Sequence, residues 1–67
     1  MSEAKRFYWS HSTLSTFDLI EELHTCQQLS GTDTQHDGSI FFWFNDKSTL
    51  VIEEYGVFVD DVRVSDS

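Results

Sequence analysis

Ile40-Phe41-Phe42-Trp43-Phe44 sets five bulky apolar side chains in an unbroken run, preceded by Ser39 and closed by Asn45. A strand sends alternate side chains to opposite faces, so a run without polar alternation is apolar on both. A domain of 67 residues is normally two layers thick and needs only one apolar sheet face. Either something covers the second face of this strand, or that face is itself a working surface.

A chain this short makes one domain, residues 1–67, with frayed ends expected at 1–4 and 65–67. It hides only about 60% of its unfolded surface, near the lower limit for folding alone. Cys26 is the single cysteine, so no internal disulfide forms, and a lone thiol fits a reducing compartment. Stability must come from aromatic packing or from oligomerisation. Six Phe, two Trp and two Tyr supply the first.

Twelve acids against four bases give a net charge of −8. A surface this negative is repelled by nucleic acid and anionic lipid, and it favours basic protein partners. High charge also keeps an aromatic-rich chain in solution. Met1 to Arg6 is not followed by an apolar segment of signal-peptide type, and the longest apolar run is far short of a membrane span. A soluble, cytoplasmic protein without direct nucleic-acid or membrane contact is the expectation.

Along the chain, Arg6-Phe7-Tyr8-Trp9 reads as a short aromatic edge strand. The spacing predicts a helix from Leu14 or Thr16 to Leu29, because Leu19, Ile20, Leu23 and Cys26 share one stripe with Phe17 on its flank. Ser15 and Asp18 have the spacing of a capping pair, and Gly31 stands where a left-handed C-cap residue is expected. Ser30 to Gly38 reads as a loop. Ile40–Phe44 and Thr49–Glu54 read as strands about a turn at 45–48, and Tyr55-Gly56 as a turn or bulge. Val57–Val59 and Val62–Val64 are strand-like and broken by Asp60-Asp61. The expected fold class is therefore α+β, one helix packed on a three- to four-stranded antiparallel sheet in the order β-α-β-β-β.

An even loop at 45–48 would put Phe41 and Trp43 on one face with Leu50 and Ile52, the seat for the helix. Ile40, Phe42 and Phe44 would share the other face with Thr49, Val51 and Glu53, and an odd loop would reshuffle these pairs. On the even reading, Ile40, Phe42 and Phe44 need a cover. Three are available: the aromatics Phe7, Tyr8 and Trp9, a twin subunit, or a different protein.

His11, His24, His36 and Cys26 show no metal-ligand pairing such as C-x2-C or H-x3-H, so neither metal nor cofactor is expected. The doublets Glu21-Glu22, Glu53-Glu54 and Asp60-Asp61 could serve acid–base chemistry only if buried, and nothing in the sequence buries them. No enzyme is expected. The favoured function is a small acidic binding protein that docks on a basic or nucleic-acid-binding protein, with inhibition as its specific form. Ile40, Phe42, Phe44 and Val51 would supply the apolar anchors, and Glu53, Glu54, Asp60 and Asp61 the steering charge. In size and charge the chain is similar to phage-borne inhibitors of bacterial defence nucleases, and to antitoxins and immunity proteins; the likeness is one of composition and covers no motif. The second reading is a structural or regulatory homodimer that meets through the aromatic sheet face or an edge strand.

Overall fold

A computed structural model describes residues 1–54 and 56–65. Two helices, α1 (Glu3–Ser10) and α2 (Thr16–His24), precede five strands. These are β1 (Leu29–Thr34), β2 (Ile40–Phe44), β3 (Thr49–Glu53), β4 (Gly56–Val59) and β5 (Val62–Ser65). The strands form one antiparallel meander in sequence order. The α+β class stands, but the sheet has five strands and the element order is α-α-β-β-β-β-β.

The first correction is α1, where the aromatic segment 6–9 is helical. Ala4, Phe7, Tyr8 and His11 recur at the i, i+3, i+4, i+7 spacing of one helical face, and Ser2 caps the start by accepting from the Lys5 amide (3.2 Å). The β propensity of Phe-Tyr-Trp loses to that stripe, because Ala4 and Tyr8 bury against the sheet while Trp9 turns outward. Residues 2–4 are likewise anchored rather than frayed. The Glu3 amide donates to Asp46 Oδ2 (2.8 Å), and the Ala4 amide donates to Ser48 Oγ (3.0 Å). Amides that a helix start leaves unpaired are thus satisfied by the β2–β3 loop.

Helix α2 forms where its stripe and cap place it, with Ser15 Oγ accepting from the Asp18 amide (3.2 Å). Leu19 and Leu23 are buried, and Ile20 and Cys26 pack at their edge. It ends at His24, short of Leu29. The Thr25 hydroxyl donates to the Glu22 carbonyl (3.0 Å), and the Thr25 and Cys26 amides turn back to Glu22 and Leu23 in a tightened last turn. Gly31 is no C-cap: it lies in β1 opposite Trp43.

The second correction is β1, read from the sequence as loop. Its side chains are mostly polar and exposed, so its order comes from the backbone ladder to β2, reinforced by Ser30 and Thr32 hydroxyls donating to the carbonyls of Trp43 and Phe41. Tyr55 and residues 66–67 lie outside the described residues; Ser65, expected to fray, closes β5.

The third correction decides the site. The β2–β3 loop holds three residues, 45–47, between the pair Phe44 and Ser48. Lys47 takes a left-handed φ of 72°, as the last residue of such a loop does. An odd loop inverts the face partition. Phe42 stands opposite Leu50, and Ile40 opposite Ile52, on the face beneath the helices. Phe41 and Trp43 stand opposite Val51 and Thr49 on the other. Phe42, Phe44, Leu50, Ile52, Val57 and Val59 form one buried cluster with Ala4, Tyr8, Leu19 and Leu23. The cover for Phe44 includes Phe7, whose ring centroid is 6.0 Å away. The N-terminal aromatics Phe7 and Tyr8 therefore cover the strand, from a helix rather than from a strand.

Candidate functional site: the open aromatic sheet face

With the helices on one face, the register aligns the other into rows. Phe41 of β2 has Asp33 of β1 on one side and Val51 of β3 on the other; Val51 is followed by Phe58 of β4, and Phe58 by Arg63 of β5. The next row runs Gly31, Trp43, Thr49. Facing residues of adjacent strands stand close enough to touch, so Phe41, Trp43, Val51 and Phe58 make one apolar patch. The rings of Phe41 and Trp43 stack at 6.0 Å with 27° between their planes. Trp43 Cε3 lies 3.7 Å from where a Gly31 Cβ would stand, so the indole lies over the glycine backbone. Val51 is buried, although it belongs to this face and not to the core cluster. Its row neighbours Phe41 and Phe58 are what shield it.

At the end of the sheet near the β1–β2 loop, the patch opens into a shallow depression of about 410 Å³ lined by Gln35, His36, Asp37, Ser39, Phe41 and Glu53. Phe41 supplies an apolar wall and Asp37 and Glu53 the carboxyl groups. The loop repeats the geometry of the β2–β3 loop. Gln35 and Ser39 close a three-residue loop as Phe44 and Ser48 do, and Gly38 takes the left-handed position with φ 91°. In both loops an Asp accepts from the amide and the hydroxyl of the Ser two residues on, Asp37 from Ser39 and Asp46 from Ser48. The Ser39 hydroxyl, with its amide, holds the Asp37 carboxyl below the ordinary range, and the Ser48 hydroxyl does the same for Asp46 with help from the Glu3 amide. Carboxyl groups so stabilised stay ionised near neutral pH. They suit charge pairing better than proton transfer.

The eight residues named as partner contacts from the sequence separate into three groups. Phe42 and Phe44 are in the core under the helices, and Ile40 packs at its margin. Val51 and Glu53 lie on the open face. Glu54 adjoins Glu53 and Asp37 at the loop end of the sheet. Asp60 and Asp61 form the β4–β5 turn at the opposite end, about 17 Å away for strands of five residues at about 3.3 Å each. Asp60 is occupied there: Ser2 Oγ donates to its Oδ2 (2.6 Å) and the Thr49 amide to its Oδ1 (3.2 Å). The acids thus form two poles rather than one patch.

Phe41, Trp43 and Phe58 were missed as candidates. The repeated Asp-x-Ser spacing at 37–39 and 46–48 was the available signal, since Gly38 marks the left-handed position of a three-residue loop and Lys47 occupies the equivalent place.

Histidines and cysteine scatter. His11 Nδ1 lies 2.8 Å from the Phe7 carbonyl oxygen and its ring stacks on Phe7 at 4.1 Å. His24 meets Phe42 edge-on, His36 is exposed in the β1–β2 loop, and Cys26 sits at the core margin. Among the described residues, no three His, Cys, Asp or Glu side chains come together as metal ligands, and no helix is long and apolar enough to cross a membrane. No protein-family model, no curated protein and no solved structure matches the chain.

Proposed function

We propose that this chain is a small acidic binding protein without catalytic activity, which docks its open sheet face on a basic, nucleic-acid-binding surface of another protein and inhibits it by occupying that surface. The observation that carries the reading is an aromatic patch left uncovered on a domain of net charge −8. A patch of this kind on a small domain marks an interface more often than a bare surface. Phe41, Trp43 and Phe58 are its apolar anchors, with Val51 buried between Phe41 and Phe58, in place of Ile40, Phe42 and Phe44. Glu53, Glu54 and Asp37 supply charge at its margin. The depression beside Phe41 would seat a partner lysine or arginine, with the ring contributing a cation–π contact and the carboxylates a charge contact.

The test uses the immobilised chain and a Phe41→Ser/Trp43→Ser variant exposed to an extract of the source cell. The reading expects a basic protein retained by the first and lost by the second, released by rising salt, and identified by mass. A retained set identical for both, or retention that salt does not weaken, would overturn it.

A further inference from the structure

We propose that the outer edge of β5 is a self-pairing edge, at which two copies of this chain meet antiparallel and join two five-stranded sheets into one of ten. The inference is independent of the open face and goes beyond the function proposed above. Strand order leaves β1 and β5 as the outer strands. They are built differently. Each carries a bulge and a charged residue, between Leu29 and Gly31 with Asp33 in β1 and at Val64 with Arg63 in β5, but past Leu29 the other residues of β1 are glycine and polar. β5 offers Val62 and Val64. Val62 stands opposite Val59, on the helix-bearing face, yet α1 does not reach it and it stays 62% exposed. Trp9, 56% exposed, borders the same groove of about 290 Å³, lined also by Lys5, Val59, Asp60 and Val64.

Charge selects the occupant. Lys5, Asp60, Asp61 and Arg63 bring two acids and two bases to this strip, leaving ten acids and two bases, the whole net charge of −8, for the rest of the chain. A strongly basic partner gains nothing from a neutral strip. A second copy is repelled at the acidic surfaces and meets least opposition here. Antiparallel edge pairing has its two-fold axis perpendicular to the sheet, so both helix layers fall on one side and both aromatic faces on the other. The register that sets Val62 against Val62 of the second copy brings the two Trp9 side chains to either side of that pair.

Sedimentation velocity from low-micromolar to near-millimolar concentration tests this on the full chain. Far-UV circular dichroism checks that Val62→Lys, a change at an exposed side chain, keeps the fold. The expected result is a monomer–dimer equilibrium whose dissociation constant rises roughly 30-fold or more in Val62→Lys and is unchanged in Trp43→Ser. Amides of β5 that do not pair with β4 should exchange more slowly as concentration rises, a readout that needs no variant. The proposal is overturned by a wild-type monomer across the whole range, which would leave the edge to a strand of another protein. It is equally overturned by a dimer that Trp43→Ser dissolves and Val62→Lys does not.

Discussion

Ser48→Ala should destabilise this domain by about 2 kcal/mol, whereas the equivalent change Ser39→Ala should cost less than about 1 kcal/mol. Both serines are buried, close a three-residue hairpin loop and donate their hydroxyl to the Asp two residues before. Only Ser48 carries a second duty, accepting from the Ala4 amide at 3.0 Å. Ala4 is fully buried, so removing the hydroxyl strands an N–H with no water at hand. A buried donor left unsatisfied costs about 1–3 kcal/mol, while an exposed carboxylate that loses one donor regains water. The difference between the two variants therefore isolates the bond by which the sheet holds α1. For a domain this size, each kcal/mol moves the Tm by about 4–8 °C, so Ser48→Ala should melt roughly 8–16 °C lower. Urea unfolding followed by circular dichroism at fixed protein concentration measures both, and Ser48→Thr serves as a control that keeps the oxygen. Equal losses in the two alanine variants, or a Ser48→Ala loss under about 0.5 kcal/mol, would refute the idea that the β2–β3 loop caps the helix.

Three further outcomes follow from the same geometry. Phe42→Ala should remove about 3–5 kcal/mol, most of a total stability of roughly 3–10 kcal/mol, whereas Phe41→Ala should cost under about 1 kcal/mol; thermal melts that ranked them the other way would restore the opposite face partition. Asp61→Gly should add about 0.5–1 kcal/mol, because both residues of the β4–β5 turn take left-handed φ (52° and 69°) and glycine meets that conformation without strain; a lower denaturation midpoint would contradict it. The acid limb of stability should depend on Asp46. Its carboxyl, held by the Ser48 hydroxyl and the Glu3 amide, titrates below the ordinary aspartate value of 3.8 in the folded state, so its contribution is complete above about that pH and is lost as pH falls through the folded value; Asp46→Asn should flatten stability below pH 3.8, and an unchanged acid limb would show that the contacts from Ser48 and Glu3 carry no linkage.

How far the fold was legible depended on which physical signal governed each element. Helix α2 announced itself through a cap at Ser15 and a stripe through Leu19 and Leu23, local signals that tertiary structure had no reason to override. Helix α1 carried an equivalent cap at Ser2 and stripe through Ala4, Phe7 and Tyr8, but three consecutive aromatics advertised a strand more loudly. β1 could not be read from its own residues, since polar side chains in a strand ordered by its neighbour leave no periodicity. The site turned on a single residue of loop length. One step of register exchanges every side chain between faces, so placing the loop at 45–47 rather than 45–48 moved Phe42 and Phe44 from surface to core and Phe41 and Trp43 the other way.

The distribution of carboxylates gives the proposed docking a direction. At the turn end of the sheet Asp46, Asp60 and Asp61 share their surroundings with the cations Lys47, next to Asp46 in the β2–β3 loop, and Lys5, beside Asp60, which offset much of the negative charge there. Asp37, Glu53 and Glu54 gather at the opposite end, against the depression beside Phe41. In the proposed docking, a basic partner drawn by the net charge of −8 would be steered to the edge of the aromatic patch and not to the β4–β5 turn. On that proposal, charge there sets the approach, and the burial of Phe41, Trp43 and Phe58 holds the partner. Reversing the charge of Glu53 and Glu54 should accordingly slow association and flatten its dependence on salt, whereas reversing Asp61, outside the helix-anchoring contacts, should leave both nearly unchanged. Equal effects from the two ends would mean that the partner reads total charge and not this face.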